Sequence, residues 1–481
     1  MEQTESYSQI KQKTILSTVS LFFQSGYSAF LGLAANLAVT VLLSPEIFGI
    51  YITTLSIISV LNYFSDIGLA ASLVQKKELH HDDVKTTFTI QQLMIVTAVS
   101  VGFLTTNLVR NFYKLPHDGI HLYWALLLSF FISSLKTIPS IFLERKIKFQ
   151  RVVLVQIVEN TVFYICVIVL AILGHELRSF TIAVILRAFT GLILIYILSP
   201  WTPKLGISKV SLKTLLSFGL PFQASSFLAL FKDDLIILFL GKILGFEALG
   251  YIGWAKKWAE APIRIIMDNI SRVLFPVISR IQHDTAKIGR VLDKILYYQT
   301  MVLAPTLFGA VILMGTVIEV IPKYNKWSPA LPLFYIFCLA SFFSSYSSPF
   351  MNFFNALGKV KISFTFMLLW TVATWLLTPI MTLWHGYFGF PITLLIVASS
   401  SVFVSYRARS FVTFHIYRSV YKSMLSSLFM ATVMLILVAL IQNPYVRLPT
   451  VMLTGIVVYF FALLFAFKVN LIKELQTLFV K

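Results

Sequence analysis

The chain has 481 residues, of which 58% are hydrophobic and only 12% charged, with a mean hydropathy of +0.83. A soluble domain is about 45–50% apolar and about 25% charged, so the polar surface here is too small to coat soluble domains, and an all-α polytopic membrane protein is what remains. The net charge of +19, from 39 Lys+Arg against 20 Asp+Glu, reports topology in such a chain rather than nucleic-acid binding.

A bilayer core about 30 Å thick needs roughly 20 apolar helical residues. That ruler predicts fourteen transmembrane helices, at approximately 14–43, 47–74, 87–108, 119–140, 152–174, 178–198, 214–241, 247–278, 296–320, 329–354, 361–384, 388–407, 423–442 and 448–467. The first apolar run, about 30 residues, is too long for the roughly 7–15-residue core of a cleaved signal and is expected to stay. Spans eight and nine are the least regular, because eight carries many charges and nine contains Pro305. Connecting segments on the side of the N-terminus hold 25 Lys and Arg and those on the other side hold 7. Lys and Arg gather on the cytoplasmic side, so both termini are expected in the cytoplasm. A missed or invented helix would invert everything downstream and scramble that ratio.

The junction of spans one and two reads Leu43-Ser44-Pro45-Glu46-Ile47-Phe48-Gly49, and that of spans seven and eight reads Leu244-Gly245-Phe246-Glu247-Ala248-Leu249-Gly250. Both are L-x-x-E-x-x-G, with Phe23-Gln24 and Phe222-Gln223 upstream. Six spans separate the copies, so they share an orientation. The expected architecture is a parallel repeat: a six-helix lobe over 1–205, a second over 206–420, and two appended helices over 421–481, with a substrate path between the lobes near the midplane.

No outer segment is long enough, or acidic enough, to hold a metal and a sugar phosphate as a membrane glycosyltransferase must, and no Gly-rich phosphate loop occurs. The chain is therefore not expected to be an enzyme or to carry a cofactor. Cys166 and Cys338 lie in apolar runs without metal spacing, and the eight histidines, at 80, 81, 117, 121, 175, 283, 385 and 415, show neither HExxH nor another ligand spacing, so no metal site is expected. His80-His81 is expected in a solvated turn.

Seven basic residues fall inside the spans: Lys136, Arg187, Lys232, Lys256, Lys257, Arg264 and Arg272. In span eight Lys256, Glu260, Arg264, Asp268 and Arg272 alternate in sign every four residues, which makes a ladder along one helix face. Such a pair contributes about 0.2–0.5 kcal/mol, whereas a charge at the bilayer centre costs about 2.5–3.5 kcal/mol. The ladder is therefore expected to face a hydrated, cationic interior suited to phosphate. The bland alternative is an interfacial stretch, or pairing only with Lys232, Asp233 and Asp234 of span seven. For Asp66 and Glu159, proton or cation coupling stands beside an interlobe salt bridge or a place near the interface. Lys136 and Arg187 either reach an anionic substrate or snorkel to a headgroup, and for Lys136 the snorkel is favoured.

The stretch Leu42-Leu43-Ser44-Pro45-Glu46-Ile47-Phe48-Gly49-Ile50-Tyr51, followed by Phe64-Ser65-Asp66-Ile67-Gly68-Leu69 and Gln75-Lys76-Lys77, resembles the opening of bacterial polysaccharide flippases of the multidrug/oligosaccharidyl-lipid/polysaccharide superfamily. Leu143-Glu144-Arg145-Lys146-Ile147-Lys148-Phe149, Ser217-Phe218-Gly219-Leu220-Pro221, the run from Arg272 to Arg280, and Lys326-Trp327-Ser328-Pro329-Ala330 are similar to later segments of the same family. The likeness covers most of the chain and weakens after about residue 400. It implies a MATE-like, fourteen-helix transporter of a bacterial cytoplasmic membrane, which moves polyprenyl-pyrophosphate-linked oligosaccharide to the outer leaflet by alternating access. The implied partners are that substrate, membrane lipid, and polymerase and assembly proteins, with no nucleic acid. On this view Arg264, Arg272, Lys257, Lys256, Lys232 and Arg187 hold the pyrophosphate or acidic sugars. Asp66, Glu159, Asp233, Asp234, Glu260 and Asp268 are the carboxylates available for coupling or gating. The alternative is a cation-coupled drug or metabolite antiporter of the same superfamily, which should prefer carboxylates to so basic an interior. A polytopic glycosyltransferase and a non-transporting scaffold are less favoured still.

Overall fold

The structure, a computed structural model, describes residues 26–467 except 29, 64–66 and 77, and every regular element among them is a helix. The chain divides into two compact units, Met1–Gly250 and Tyr251–Lys481.

In the first unit an apolar helix at Gly26–Leu42 is followed by α1 (Pro45–Tyr63), α2 (Leu69–Gln75), α3 (His81–Leu104), α4 (Thr106–Tyr113), α5 (His117–Ser134), α6 (Thr137–Arg145), α7 (Phe149–Ile172), α8 (Glu176–Leu198), α9 (Lys209–Leu244) and the first turn of α10 (Phe246–Arg280). The second holds the rest of α10, then α11 (Thr285–Val320), a 3₁₀ turn at Tyr324–Ala330, α12 (Leu331–Ser345), α13 (Ser347–Ala356), α14 (Val360–His385), α15 (Gly389–Ser399), α16 (Ser401–Arg409), α17 (Ile416–Leu440) and α18 (Pro444–Phe461).

Among the described residues nine helical stretches are long and apolar enough to cross a membrane, and α5 with α6, bent by 41° at their junction, makes a tenth. Predicted spans two to fourteen each fall on a helix or a broken pair, and span one is described only in part. The stretch Val360–Arg409 takes in two of them, with a turn at Gly386, whose φ of +57° and ψ of −133° only glycine adopts without strain. Fourteen crossings therefore stay a sequence-based expectation. Pro305 does not break span nine: α11 is continuous over 36 residues, about 54 Å, so its ends outrun the apolar core.

The duplicated motif has a structural counterpart. A Cβ on Gly49 would lie 1.8 Å from the carbonyl oxygen of Phe246, and one on Gly250 would lie 2.0 Å from that of Pro45. The seventh position of each L-x-x-E-x-x-G thus rests on the third position of the other, the reciprocal contact of a local two-fold. A carbonyl oxygen approaches this closely only where the residue it meets has no Cβ, which is why both motifs end in glycine. Gly68 and Gly219 make a second such contact, 2.2 Å from a Cβ on Gly68 to the Gly219 oxygen.

Two prolines inside the helical layer are answered by tyrosines. Pro139 has no N–H for the Leu135 carbonyl, and that oxygen accepts from the Tyr196 hydroxyl at 3.3 Å. Pro305 likewise frees the Met301 carbonyl, which accepts from Tyr459 at 2.6 Å. In hydrocarbon an unsatisfied carbonyl has no water to turn to, so neighbouring helices must supply the donor. On the polar side Arg145 Nη1 donates to the Leu73 and Lys76 carbonyls at 2.7 and 2.5 Å and so closes the end of α2. Asp83 accepts from Lys76 Nζ at 2.7 Å and from the His80 N–H at 3.0 Å, which anchors the turn before α3. In the second unit the Lys326–Ala330 motif packs Trp327 flat on Trp254, 5.6 Å between centroids, and both rings are fully buried.

Candidate functional site

Within the first unit, α1, α5, α7 and α8 enclose a cavity of about 340 Å³, lined by Tyr51, Ser59, Asn62, Ser129, Ser133, Lys136, Glu159 and Arg187 over an apolar floor that includes Leu55 and Phe130. It is a polar pocket inside helices whose other faces are apolar, and local sequence explains how the charges enter. The bend where α5 gives way to α6, with Pro139 just beyond it, places Lys136 at the break. From there its ammonium reaches the carboxylate of Glu159 on α7, and the two form an ion pair. Glu159 lies against α8 at Gly191, where a Cβ would fall 1.4 Å from its Oε1. One turn away the Arg187 guanidinium sits over the Phe163 ring, 5.6 Å from its centroid. Glu159 against Gly191 and Phe163 against Arg187 set the register of α7 and α8.

Lys136 and Glu159 neutralise each other; Arg187 has no acid partner among the described residues. A cation over an aromatic ring is worth about 0.5–2 kcal/mol, less than the roughly 2.5–3.5 kcal/mol cost of a central charge. The cavity thus carries one net positive charge, with serine hydroxyls beside it, an arrangement that suits an anionic oxygen.

On α10 the ladder forms over its first three members. The Glu260 carboxylate lies 2.9 Å from Arg264 Nη2 and 3.8 Å from Lys256 Nζ, and Lys256 also stands 5.7 Å from the Phe390 ring. Arg264 is 73% exposed at its side chain, whereas Lys256 and Glu260 are 21% and 25% exposed, so the ladder is open at its Arg264 end and half-buried at the other. Lys257 is exposed beside it, while Lys232 and Asp234 are half-buried on α9. Asp66 and the side chains of Asp233, Asp268 and Arg272 lie outside the described residues.

Residues 38–332 match the family described as polysaccharide biosynthesis protein. The chain belongs to this family. It is 26% identical over 346 residues to the lipopolysaccharide biosynthesis protein WzxC of Escherichia coli (strain K12), a match over 70% of this chain and 68% of that protein. It is 21% identical over 338 residues to the succinoglycan biosynthesis transport protein ExoT of Rhizobium meliloti (strain 1021), over 69% and 67%. Its fold is similar to that of the lipid II flippase MurJ in an inward closed conformation, with a TM-score of 0.76 at 16% identity over 94% of this chain and 99% of that one. It is also similar to an inward-facing multidrug resistance MATE family transporter of the MOP superfamily, with a TM-score of 0.61 at 12% identity over 80% and 95%. The family member described here is thus an all-helical, multi-pass membrane protein with a MATE-like fold.

Three expectations change. Lys136 does not snorkel: it turns inward to Glu159, because the break after α5 aims it at α7. Glu159 makes that pair within residues 1–205, so it is no interlobe bridge. The expectation that the histidines show no ligand spacing also changes: His117 and His121 stand one turn apart on α5, a four-residue spacing visible in the sequence once a helix is drawn through it.

Proposed function

We propose that this protein is a flippase that carries polyprenyl-pyrophosphate-linked oligosaccharide from the cytoplasmic to the outer leaflet of a bacterial cytoplasmic membrane by alternating access. In this reading the chain crosses fourteen times with both termini in the cytoplasm. Its repeat lobes span 1–205 and 206–420, with 421–481 appended, and its product feeds polymerase and assembly proteins. The observation that carries the proposal is Arg187, a guanidinium without an acid partner among the described residues, in a polar cavity of a chain whose family serves polysaccharide biosynthesis. A pyrophosphate supplies the missing counter-charge. Arg187 is then the anchor in the first unit, with Lys256, Lys257, Arg264, Arg272 and Lys232 as further cationic contacts along α9 and α10. Moving that negative charge toward a positive exterior is favoured by about 2.3 kcal/mol per charge per 100 mV, so the membrane potential can drive the step. Glu159, held by Lys136, sets the local charge balance; Asp66, Asp233, Asp234, Glu260 and Asp268 are the remaining candidates for coupling or gating.

The test is leaflet translocation of a fluorescent polyprenyl-pyrophosphate oligosaccharide in proteoliposomes, comparing wild type with Arg187→Gln, Arg264→Ala and Arg272→Ala. A hydrogen bond to a charged group is worth about 1.5–3 kcal/mol, so Arg187→Gln is expected to weaken substrate binding by roughly 10- to 150-fold. Folded wild type that moves no lipid-linked glycan but exchanges a small organic cation for protons or sodium would overturn the proposal in favour of the antiporter.

A further inference from the structure

His117, Asp118 and His121 occupy the first turns of α5. Among the described residues they are the one group of three or more His, Cys, Asp or Glu side chains whose ligand atoms all lie within 4.8 Å of one another. The two imidazoles meet edge-on with centroids 4.5 Å apart, and His121 Nδ1 is 3.6 Å from Asp118 Oδ1. Residues four apart on a helix stand one above the other, the spacing by which two helical histidines share one ion.

We propose that this turn binds a divalent transition-metal ion through the His117 and His121 imidazoles and the Asp118 carboxylate, with water completing the shell. Two nitrogens and one carboxylate suit zinc, nickel or copper, whereas magnesium and calcium require oxygen ligands throughout. In a tetrahedral site with bonds of about 2.0–2.1 Å the ligand atoms stand roughly 3.3 Å apart. The present spacing closes to that by side-chain rotation, for which His117 is exposed and Asp118 and His121 are each 39% exposed. The surroundings sharpen the choice of ion. The N-terminal end of a helix and the nearby Arg178 both repel a cation held by charge alone, so an ion bound here must form real bonds to nitrogen. Arg178 Nε lies 3.2 Å from the same Asp118 Oδ1, and this contact ties α8 to α5. Metal and guanidinium therefore compete for one oxygen.

That competition gives the test its specificity. The full-length chain, purified in detergent without a histidine tag, is titrated with zinc, nickel or copper chloride by calorimetry. Copper is also followed through Trp124, whose ring centroid is 5.9 Å from that of His121; its quenching is taken as the difference between wild type and Trp124→Phe. One ion per chain is expected. Affinity should fall at least about tenfold in His117→Ala and in His121→Gln, since losing even an outer-shell partner of a metal site costs about 10–100-fold. It should rise in Arg178→Gln, which frees Asp118. All these side chains lie at the helix surface, and monodisperse elution of each variant checks its fold. Absence of binding by wild type, or a titration unchanged in the His117→Ala/His121→Gln double variant, overturns the site. An affinity unmoved by Arg178→Gln overturns the assignment of Asp118.

Discussion

Glu159→Gln removes one charge from the cavity while keeping the size of the side chain. In the native protein the Lys136 and Glu159 side chains are only 17% and 8% exposed, so the change strands an ammonium in a poorly hydrated place that it shares with Arg187, of like sign. Removing one partner of a buried pair costs about 3–5 kcal/mol, whereas replacing both partners by neutral groups of similar volume is often close to neutral. The first unit spans 250 residues, a size at which 1 kcal/mol shifts the melting midpoint by about 2–4 °C. Glu159→Gln is therefore expected to lower that midpoint by roughly 6–20 °C. Lys136→Met, which strands the carboxylate instead, should cost a similar amount. The double variant should return close to wild type or exceed it by up to about 4 kcal/mol. The assay is thermal unfolding in detergent, followed by circular dichroism, for all four proteins of the cycle. If the two single losses add to within about 0.5 kcal/mol in the double variant, the side chains are uncoupled and the account of the cavity's charge is refuted.

Gly49→Ala and Gly250→Ala should destabilise by similar amounts, at least about 1–3 kcal/mol each, because each new Cβ meets a backbone oxygen at 1.8 or 2.0 Å. Gly315→Ala, whose nearest neighbour is Leu331 Cδ2 at 3.8 Å, should be neutral or stabilising by up to about 1 kcal/mol; unequal losses at Gly49 and Gly250 in the same melting assay would remove the local two-fold. Tyr459→Phe should cost about 1–3 kcal/mol by orphaning the Met301 carbonyl. Adding Pro305→Ala, which restores an N–H for that oxygen, should recover most of the loss, and a double variant no more stable than Tyr459→Phe alone would show that the hydroxyl does not answer the proline.

Much of this molecule was legible in its sequence because the bilayer is a harsh filter. Apolar runs long enough to cross must be helical, since no other open structure satisfies its backbone in hydrocarbon. Composition therefore gave the helical class, and the placement of apolar runs gave the helix positions. Four-residue spacing gave the start of the ladder, as the Lys256, Glu260 and Arg264 contacts show, because neighbours on one helix face depend only on the helical period. The duplicated motif was also visible, but as a pattern without a reason.

Tertiary structure decided whatever depends on which helices touch. Nothing near Lys136 in the chain points to Glu159, 23 residues away; a bend after α5 and the bare surface at Gly191 bring them together, and only packing reveals both. Tyr196 and Tyr459 look like ordinary membrane tyrosines until the carbonyls freed by Pro139 and Pro305 are found beside them. Arg187 shows the division most plainly. The sequence placed a charge within an apolar span, where it needs a purpose. The neighbouring helices decided that a ring lies beneath it and no described acid beside it, because a partner's identity depends on distances across helices, which the periodicity of a single helix does not contain.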